Sequence, residues 1–156
     1  LRFQSCDGCE RCRPDNICKL KDEMQQLYPK ITAARGLVLV SPTHNFNVTA
    51  WMKSFIDRMY CYSGFTDDRP RSWWTTLANQ GRRAALVAIG EQAGAEEAIG
   101  LTLTALHRAM AAYGYEIAGE LPVNGIFDRG MVRHHPNVLA DARQLGFELA
   151  KPLMQE

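Results

Sequence analysis

The chain has 156 residues, of which 46% are hydrophobic, and carries 18 basic and 17 acidic side chains. This length supports one well-buried core and is short for two, so we expect a single domain over residues 1–156. The balanced charge gives no reason to expect a nucleic-acid partner. No apolar run reaches the ~18 residues of a membrane span and no signal peptide is recognisable, which predicts a cytoplasmic protein without membrane contact.

The first third of the chain predicts one helix and one strand. Residues 1–4 are typical of the end of a strand, so we expect the chain to start inside an α/β fold, about 30 residues after the beginning of a first βα unit. Apolar residues at helical spacing predict an amphipathic helix over 22–34. The apolar run at 37–40 predicts a parallel strand covered on both faces.

The rest of the chain alternates between helix and strand. Residues 63–80 lack a clean period and predict a long loop, which is often functional in a compact domain. The alternation predicts a parallel sheet between two helical layers. The other predicted elements are a helix from Asn47 or Thr49 to about Tyr60, a strand at 84–89, a helical pattern through Met110, a strand at 115–121 and a helix at 137–151.

Four of the five cysteines lie close together near the start of the chain. Their spacing is Cys6-x2-Cys9-x2-Cys12-x5-Cys18, and two-residue gaps of this kind are typical of loops that hold a 4Fe-4S cluster. Structural zinc usually takes two CxxC pairs with a longer spacer. Disulfides, or thiols that merely pack, are the other interpretations. Cys61 stands apart and is predicted to be a small buried hydrophobe.

Two loops are candidates for a ligand site because each follows a predicted strand and precedes a helix. Open parallel sheets bind their ligands at the carboxyl ends of their strands. The first loop consists of Ser41, Pro42, Thr43, His44, Asn45, Phe46 and Asn47, and the second loop consists of Gly90, Glu91, Gln92, Ala93 and Gly94.

A family resemblance begins at the first loop. Residues 41–58 resemble the SPxYxxxxxxxLKxFIDR signature of NAD(P)H-dependent FMN reductases, with His44 in place of the usual Tyr. The upstream cysteines, followed by residues 21–24, resemble those of iron-sulfur flavoproteins in the same superfamily. The resemblance implies a flavodoxin-like three-layer α/β sandwich with a central parallel sheet, here without its first βα unit.

The resemblance also implies a set of ligands and partners. Both loops would contact FMN, NAD(P)H would be the reductant, and the four clustered cysteines could ligate a 4Fe-4S cluster. The family's main phosphate loop would precede Leu1, so we expect weak FMN binding by this chain. The electron acceptor would be a small molecule or a redox protein, and the assembly a homodimer or homotetramer with Trp73 and Trp74 as candidate contacts.

No side chain is assigned a catalytic role, because FMN carries the chemistry of such proteins. Lys53, Asp57 and Arg58 are predicted to form ion pairs on the face of a helix. Two other functions stay open. One is an electron carrier without a substrate of its own, and the other is a flavin-free scaffold whose cysteines hold a structural metal.

Overall fold

A computed structural model describes residues 1–155 of the chain. Its main sheet has the strand order β2-β1-β5-β6, in which β1, β5 and β6 are parallel and the two-residue β2 is antiparallel to the end of β1. The predicted parallel sheet is therefore present, with one short antiparallel strand at its edge. The strands are β1 at Gly36–His44, β2 at Asn47–Val48, β3 at Ser63–Phe65, β4 at Trp73–Thr75, β5 at Arg83–Ile89 and β6 at Glu116–Val123.

Helices cover both faces of this sheet. The main core packs buried Leu39 and Leu86 against Ile56, Leu106 and Met110 from the helices of one layer. The last helix covers the opposite face, mainly over β6 and β5. This is the predicted three-layer α/β sandwich. The helices are α1 at Tyr28–Ala33, α2 at Ala50–Arg58, α3 at Ala95–Ile99, α4 at Thr102–Ala112 and α5 at Pro136–Leu153, with short 3-10 helices at Glu23–Gln26, Met59–Tyr62 and Met131–His134.

Two predicted helices are each divided into two pieces. The helix expected over 22–34 is a 3-10 turn followed by α1, which begins around Pro29. Proline has no N–H to donate, so it starts a helix more readily than it continues one. The helical pattern after β5 is divided into α3 and α4 by Gly100, whose φ is +50°.

One face of β1 differs from the prediction. Leu39 is 5% exposed, whereas Val38 and Val40, which point to the other face, are 53% and 48% exposed. The prediction of cover on both faces is therefore wrong for this part of the strand, because α5 lies mainly over β6 and β5. The open face and α2 border an apolar cleft of about 810 Å³, whose lining includes Trp51 and Phe55.

The predicted loop at 63–80 contains a small hairpin. Strands β3 and β4 pair from Ser63 with Thr75 to Phe65 with Trp73, so β-structure is present where none was predicted. Residues 1–4 form no strand and are held by side chains, since the Gln4 N–H donates to Asp22 at 3.2 Å. None of the helices within residues 1–155 has both the length and the apolar character needed to cross a membrane.

Candidate functional site

The two segments predicted as loops meet in one crevice at the carboxyl ends of β1 and β5. The first of them is mostly strand, because β1 continues to His44 and only Asn45 and Phe46 form the turn to β2. The volume of the crevice is about 510 Å³, which is within the range of small-molecule and cofactor sites. Five residues of the two loops line it together with the start of α3. The lining residues are Thr43, Asn45, Phe46, Glu91, Gln92, Glu97 and Ala98.

The charge of the crevice favours some ligand groups over others. Glu91 and Glu97 are exposed carboxylates, and the lining includes no basic side chain. A phosphate would be repelled here, whereas a planar uncharged ring with polar edges would not be. The crevice is therefore suited to the ring of a cofactor rather than to its anionic end.

The first loop has a constrained backbone where it enters the crevice. Asn45 and Phe46 both have left-handed conformations, with φ of 47° and 63°. Such conformations cost about 1–3 kcal/mol each for side chains that do not favour them, and they are frequent at ligand sites. The Phe46 carbonyl accepts a hydrogen bond from the Leu101 N–H at 2.6 Å. The junction of α3 and α4 thus holds the loop in place.

Gly100 makes this close approach possible. A Cβ at this position would lie 2.6 Å from the carbonyl oxygen of Phe46, so only glycine fits. On its other side, the first loop leads into α2, whose first turn is capped by Thr49. The Thr49 hydroxyl accepts the Met52 N–H at 3.1 Å, and this cap fixes where the loop ends.

The second loop packs directly on α3. A Cβ added to Gly90 would lie 2.1 Å from the carbonyl oxygen of Ala98, so glycine is required for the strand and the helix to approach so closely. The Ala98 N–H also donates to the Gly94 carbonyl at 2.8 Å in the first turn of α3. The loop therefore has little freedom to move away from the crevice.

A third loop, at residues 124–127, adjoins the second one, and the sequence analysis missed it. The Gly125 N–H donates to the Gln92 carbonyl at 2.9 Å, and the Ile126 N–H donates to the Gly90 carbonyl at 3.1 Å. Asn124 Oδ1 is buried and has no hydrogen-bond partner in the described chain. The sequence did contain a signal for this loop, because the predicted last strand is parallel to the one before it and its carboxyl end must lie at the same edge of the sheet.

The remaining predicted ligand residues lie outside the crevice lining. Pro42 and His44 border the apolar cleft beside β1 instead. Ser41 is buried within β1, and its hydroxyl accepts the Thr49 N–H at 3.3 Å. The others are Asn47, which belongs to β2, Gly90, which packs on α3, and the exposed Ala93 and Gly94.

The four clustered cysteines share a second pocket, which we call the cysteine pocket. Cys6, Cys9, Cys12 and Cys18 line it together with Arg58, Tyr60 and Cys61, among others. All five cysteines are free thiols. In residues 1–155 no three Cys, His, Asp or Glu side chains converge as ligands of one metal ion. A cluster that takes one thiolate per iron has its ligands further apart than a single ion does.

Ion pairs hold the cysteine segment, residues 6–18, against the hairpin formed by β3 and β4. Arg13 contacts Asp67 at 2.8 Å and Glu10 at 3.4 Å, and Arg71 contacts Glu10 at 3.3 Å. The hydrogen bond from Arg71 lowers the pKa of the Glu10 carboxyl, so its negative charge is favoured. The segment that forms one wall of the pocket is therefore restrained by ion pairs to the hairpin.

Burial distinguishes two of the thiols in the pocket wall from ordinary exposed thiols. It raises the pKa of Cys12, and it raises the pKa of Cys61 to about 12. Cys61 is 3% exposed, and its thiol lies 3.6 Å from the Arg58 carbonyl, to which it donates. This confirms Cys61 as a small buried residue, which stays protonated near neutral pH.

Three comparisons relate the chain to known proteins. A family model described as NADPH-dependent FMN reductase matches residues 3–116. An iron-sulfur flavoprotein of Archaeoglobus fulgidus is 40% identical over 61 residues, or 39% of this chain and 28% of the relative. An iron-sulfur flavoprotein of Methanosarcina thermophila is 34% identical over 53 residues, or 34% of this chain and 28% of the relative. The matched segments thus span less than a third of these relatives.

A solved structure shares the fold. The FMN-dependent NADH-azoreductase of Bacillus anthracis, solved in complex with FMN, aligns with a TM-score of 0.53 and 17% identity, covering 79% of this chain and 61% of that chain. At this identity the similarity concerns architecture, and it supports the flavodoxin-like arrangement of strands and helices described above.

Proposed function

The chain belongs to the NADPH-dependent FMN reductase family, and from this premise we propose that it is the flavin-binding part of an oxidoreductase that takes hydride from NAD(P)H. The observation that carries the proposal is the shared crevice, in which Thr43, Asn45 and Phe46 of the first loop face Glu91 and Gln92 of the second. Loops that join strands to helices at this edge of a parallel sheet are where such folds bind ligands.

Each part of the crevice has a role toward FMN in this proposal. The backbone of Asn45 and Phe46 would hold one side of the ring, and Glu91 and Gln92 of the second loop, which Gly90 lets pack closely on α3, would hold the other. Asn124 Oδ1, which is buried without a partner in the adjoining third loop, would be an acceptor for a ring N–H. When bound, FMN supplies the hydride and electron transfer, and these residues supply position and a fixed polar environment.

We propose that the cysteine pocket holds a 4Fe-4S cluster through Cys6, Cys9, Cys12 and Cys18. Four free thiols that line one pocket match the ligand set of such a cluster. The curated relatives described above are iron-sulfur flavoproteins, which supports the same assignment. Free thiols also agree with a reducing compartment such as the cytoplasm. The electron acceptor is then a small molecule or a redox protein.

We also propose that the protein is a homodimer or homotetramer. Trp73 and Trp74 are each 53% exposed on the hairpin that adjoins the cysteine segment, and aromatic side chains of this size often lie at the centre of protein interfaces. The hairpin and the cysteine segment are the candidate contact surface.

Anaerobic purification followed by FMN titration tests the flavin assignment. We expect saturable quenching of flavin fluorescence by the full-length protein, and NAD(P)H oxidation with a quinone acceptor. Binding without turnover would identify an electron carrier instead. If the protein neither binds FMN nor oxidises NAD(P)H, the proposal is contradicted.

Cysteine variants test the cluster. We expect Cys12→Ser to lose the broad iron-sulfur absorption, whereas Cys61→Ser, in the same pocket, keeps it. A spectrum that survives Cys12→Ser would contradict the assigned ligand set. Iron content measured on the same samples separates loss of the cluster from a change in its spectrum.

A further inference from the structure

Arg58 is a buried charge at the end of α2. Its side chain is 0% exposed, although arginine is almost never fully buried without a partner. The guanidinium binds both carboxylate oxygens of Asp22, with Nη2 3.0 Å from Oδ1. Burial opposes the charge, but the hydrogen bonds that Arg58 donates to Asp22 and Tyr28 outweigh it, and the pKa of Arg58 is raised above its ordinary value. Of the ion pairs predicted on the face of this helix, Lys53–Asp57 is present, whereas Arg58 pairs with Asp22 outside the helix.

The partners of Arg58 lie on the two sides of the cysteine segment. Its Nη1 donates to the Gln4 carbonyl at 2.9 Å, just before Cys6, and Asp22 lies just after Cys18. The Gln4 N–H in turn donates to Asp22 at 3.2 Å. One guanidinium therefore ties both ends of the cysteine segment to α2.

Arg58 also forms part of the wall of the cysteine pocket, whereas Asp22 is not among the lining residues. Its Nε donates to the Tyr28 hydroxyl at 3.2 Å, so every side of the guanidinium is fixed. A lining residue of the pocket thus has a fixed positive charge, whereas the carboxylate that pairs with it belongs to a residue outside the lining.

We infer that Arg58 is a positioning and electrostatic residue for the four-thiolate group of the cysteine pocket, closing the base of the cysteine segment and raising the reduction potential. The inference depends on the 4Fe-4S proposal above. One-electron reduction adds a negative charge to such a group. A fixed positive charge nearby favours the reduced state, and low local dielectric strengthens the effect. Arginine stays protonated throughout the accessible pH range.

The test measures the midpoint reduction potential in a dithionite titration of the anaerobic full-length protein, followed by absorbance and EPR. We expect Arg58→Gln to shift the potential to more negative values and Asp22→Asn to shift it to more positive values. Both variants break the same ion pair, so a purely structural role would move both potentials the same way or not at all. Opposite shifts are the signature of charge.

Matched controls come from the exposed Lys53–Asp57 pair on the same helix. Lys53→Gln and Asp57→Asn make the same charge changes, and their charges are screened by solvent, so we expect potentials close to wild type. Arg58→Lys keeps the positive charge but loses the paired hydrogen bonds to the two Asp22 oxygens. We therefore expect a reduction potential near that of the wild type and lower iron retention.

The outcomes separate this inference from the proposal on which it depends. Wild-type protein without iron would contradict the cluster itself. Iron-loaded protein whose Asp22→Asn potential is unchanged or more negative would contradict the inference alone. If Arg58→Gln fails to fold, Asp22→Asn and Arg58→Lys still decide the question.

Discussion

Gly90 is the residue on which the geometry of the crevice depends most directly. Its position leaves no room for a side chain, because a Cβ would meet the Ala98 carbonyl at 2.1 Å. Gly94 lies in the same loop, but its nearest contact for a Cβ is 3.8 Å away. The loop therefore contains one glycine that is required and one that is replaceable.

We expect Gly90→Ala to destabilise the protein by about 3 kcal/mol, because β5 and α3 must separate, and to weaken FMN binding. Gly94→Ala should cost less than about 1 kcal/mol, the effect of alanine at a helix N-cap. Urea unfolding and flavin fluorescence measure the two effects. If Gly90→Ala and Gly94→Ala lose equal amounts of stability and FMN affinity, crowding against the Ala98 carbonyl is not the cause of the loss.

The Asp22 carboxyl is the clearest source of acid sensitivity. Hydrogen bonds from Arg58 hold its pKa below its ordinary value of 3.8. A group with a lowered pKa contributes stability that is complete above its unfolded pKa and is lost as the pH falls through its folded pKa.

We therefore expect Asp22→Asn to cost about 3 kcal/mol at neutral pH, since it leaves a buried guanidinium unpaired. The difference from wild type should shrink as the pH falls below about 4. Urea unfolding of iron-free protein between pH 2 and 7 measures it, with Asp141→Asn on the exposed face of α5 as the control. A difference that is constant with pH would refute the assignment.

At the scale of elements, β1 has one buried and one open face. Val38 and Val40 border the apolar cleft, while Leu39 lies in the core. Exposed apolar patches of this kind bind dyes and promote association. Because side chains alternate along a strand, neighbouring substitutions on β1 should have opposite character.

We expect the double variant Val38→Thr, Val40→Thr to reduce binding of a hydrophobic dye and concentration-dependent association, with a stability change below about 1 kcal/mol. Leu39→Thr should instead cost about 3 kcal/mol, because it removes core volume and buries a hydroxyl. Dye fluorescence, light scattering and urea unfolding distinguish the two. Similar behaviour of both variants would contradict the alternation.

At the scale of the whole molecule, Arg82 connects parts that are distant in sequence. It is 4% exposed and donates to the carbonyls of Ile31 and Thr32 at 2.8 and 2.7 Å, at the end of α1. Its guanidinium also lies 5.9 Å from the centre of the Tyr115 ring. The start of β5, the end of α1 and the start of β6 are thus joined through one side chain.

We expect Arg82→Lys to lower the free energy of unfolding by about 3 kcal/mol, because an ammonium group cannot reach all of these carbonyls and hydrogen bonds to charged groups are worth about 1.5–3 kcal/mol. Arg108→Lys on the exposed face of α4 is the control and should change little. Thermal and urea unfolding measure both. If Arg82→Lys leaves the free energy of unfolding unchanged, the carbonyls at the end of α1 accept hydrogen bonds from water in the variant.

The alternation of strands and helices could be predicted from the sequence because its signals are local. The apolar runs at 37–40 and 84–89 and the helical spacing after 137 each indicate their own element. The contacts that define the two candidate sites are not local. Arg58 finds Asp22 36 positions away, and Gln92 binds Gly125. Single-sequence patterns carry no information on such pairs. The cysteine spacing was the exception, because its members lie in one short segment.

Helix α2 connects the neighbourhoods of both candidate sites. It starts just after the first loop, at its Thr49 cap, and ends at Arg58 in the wall of the cysteine pocket. Its nine residues make a rod roughly 13 Å long. If FMN and a 4Fe-4S cluster bind at these two sites as proposed, helical rise rather than a flexible connection would set the distance between them. An alanine inserted into this rod would lengthen it by about 1.5 Å and rotate its far end by about 100°, which would carry the Arg58 guanidinium away from Asp22 and from the Gln4 carbonyl.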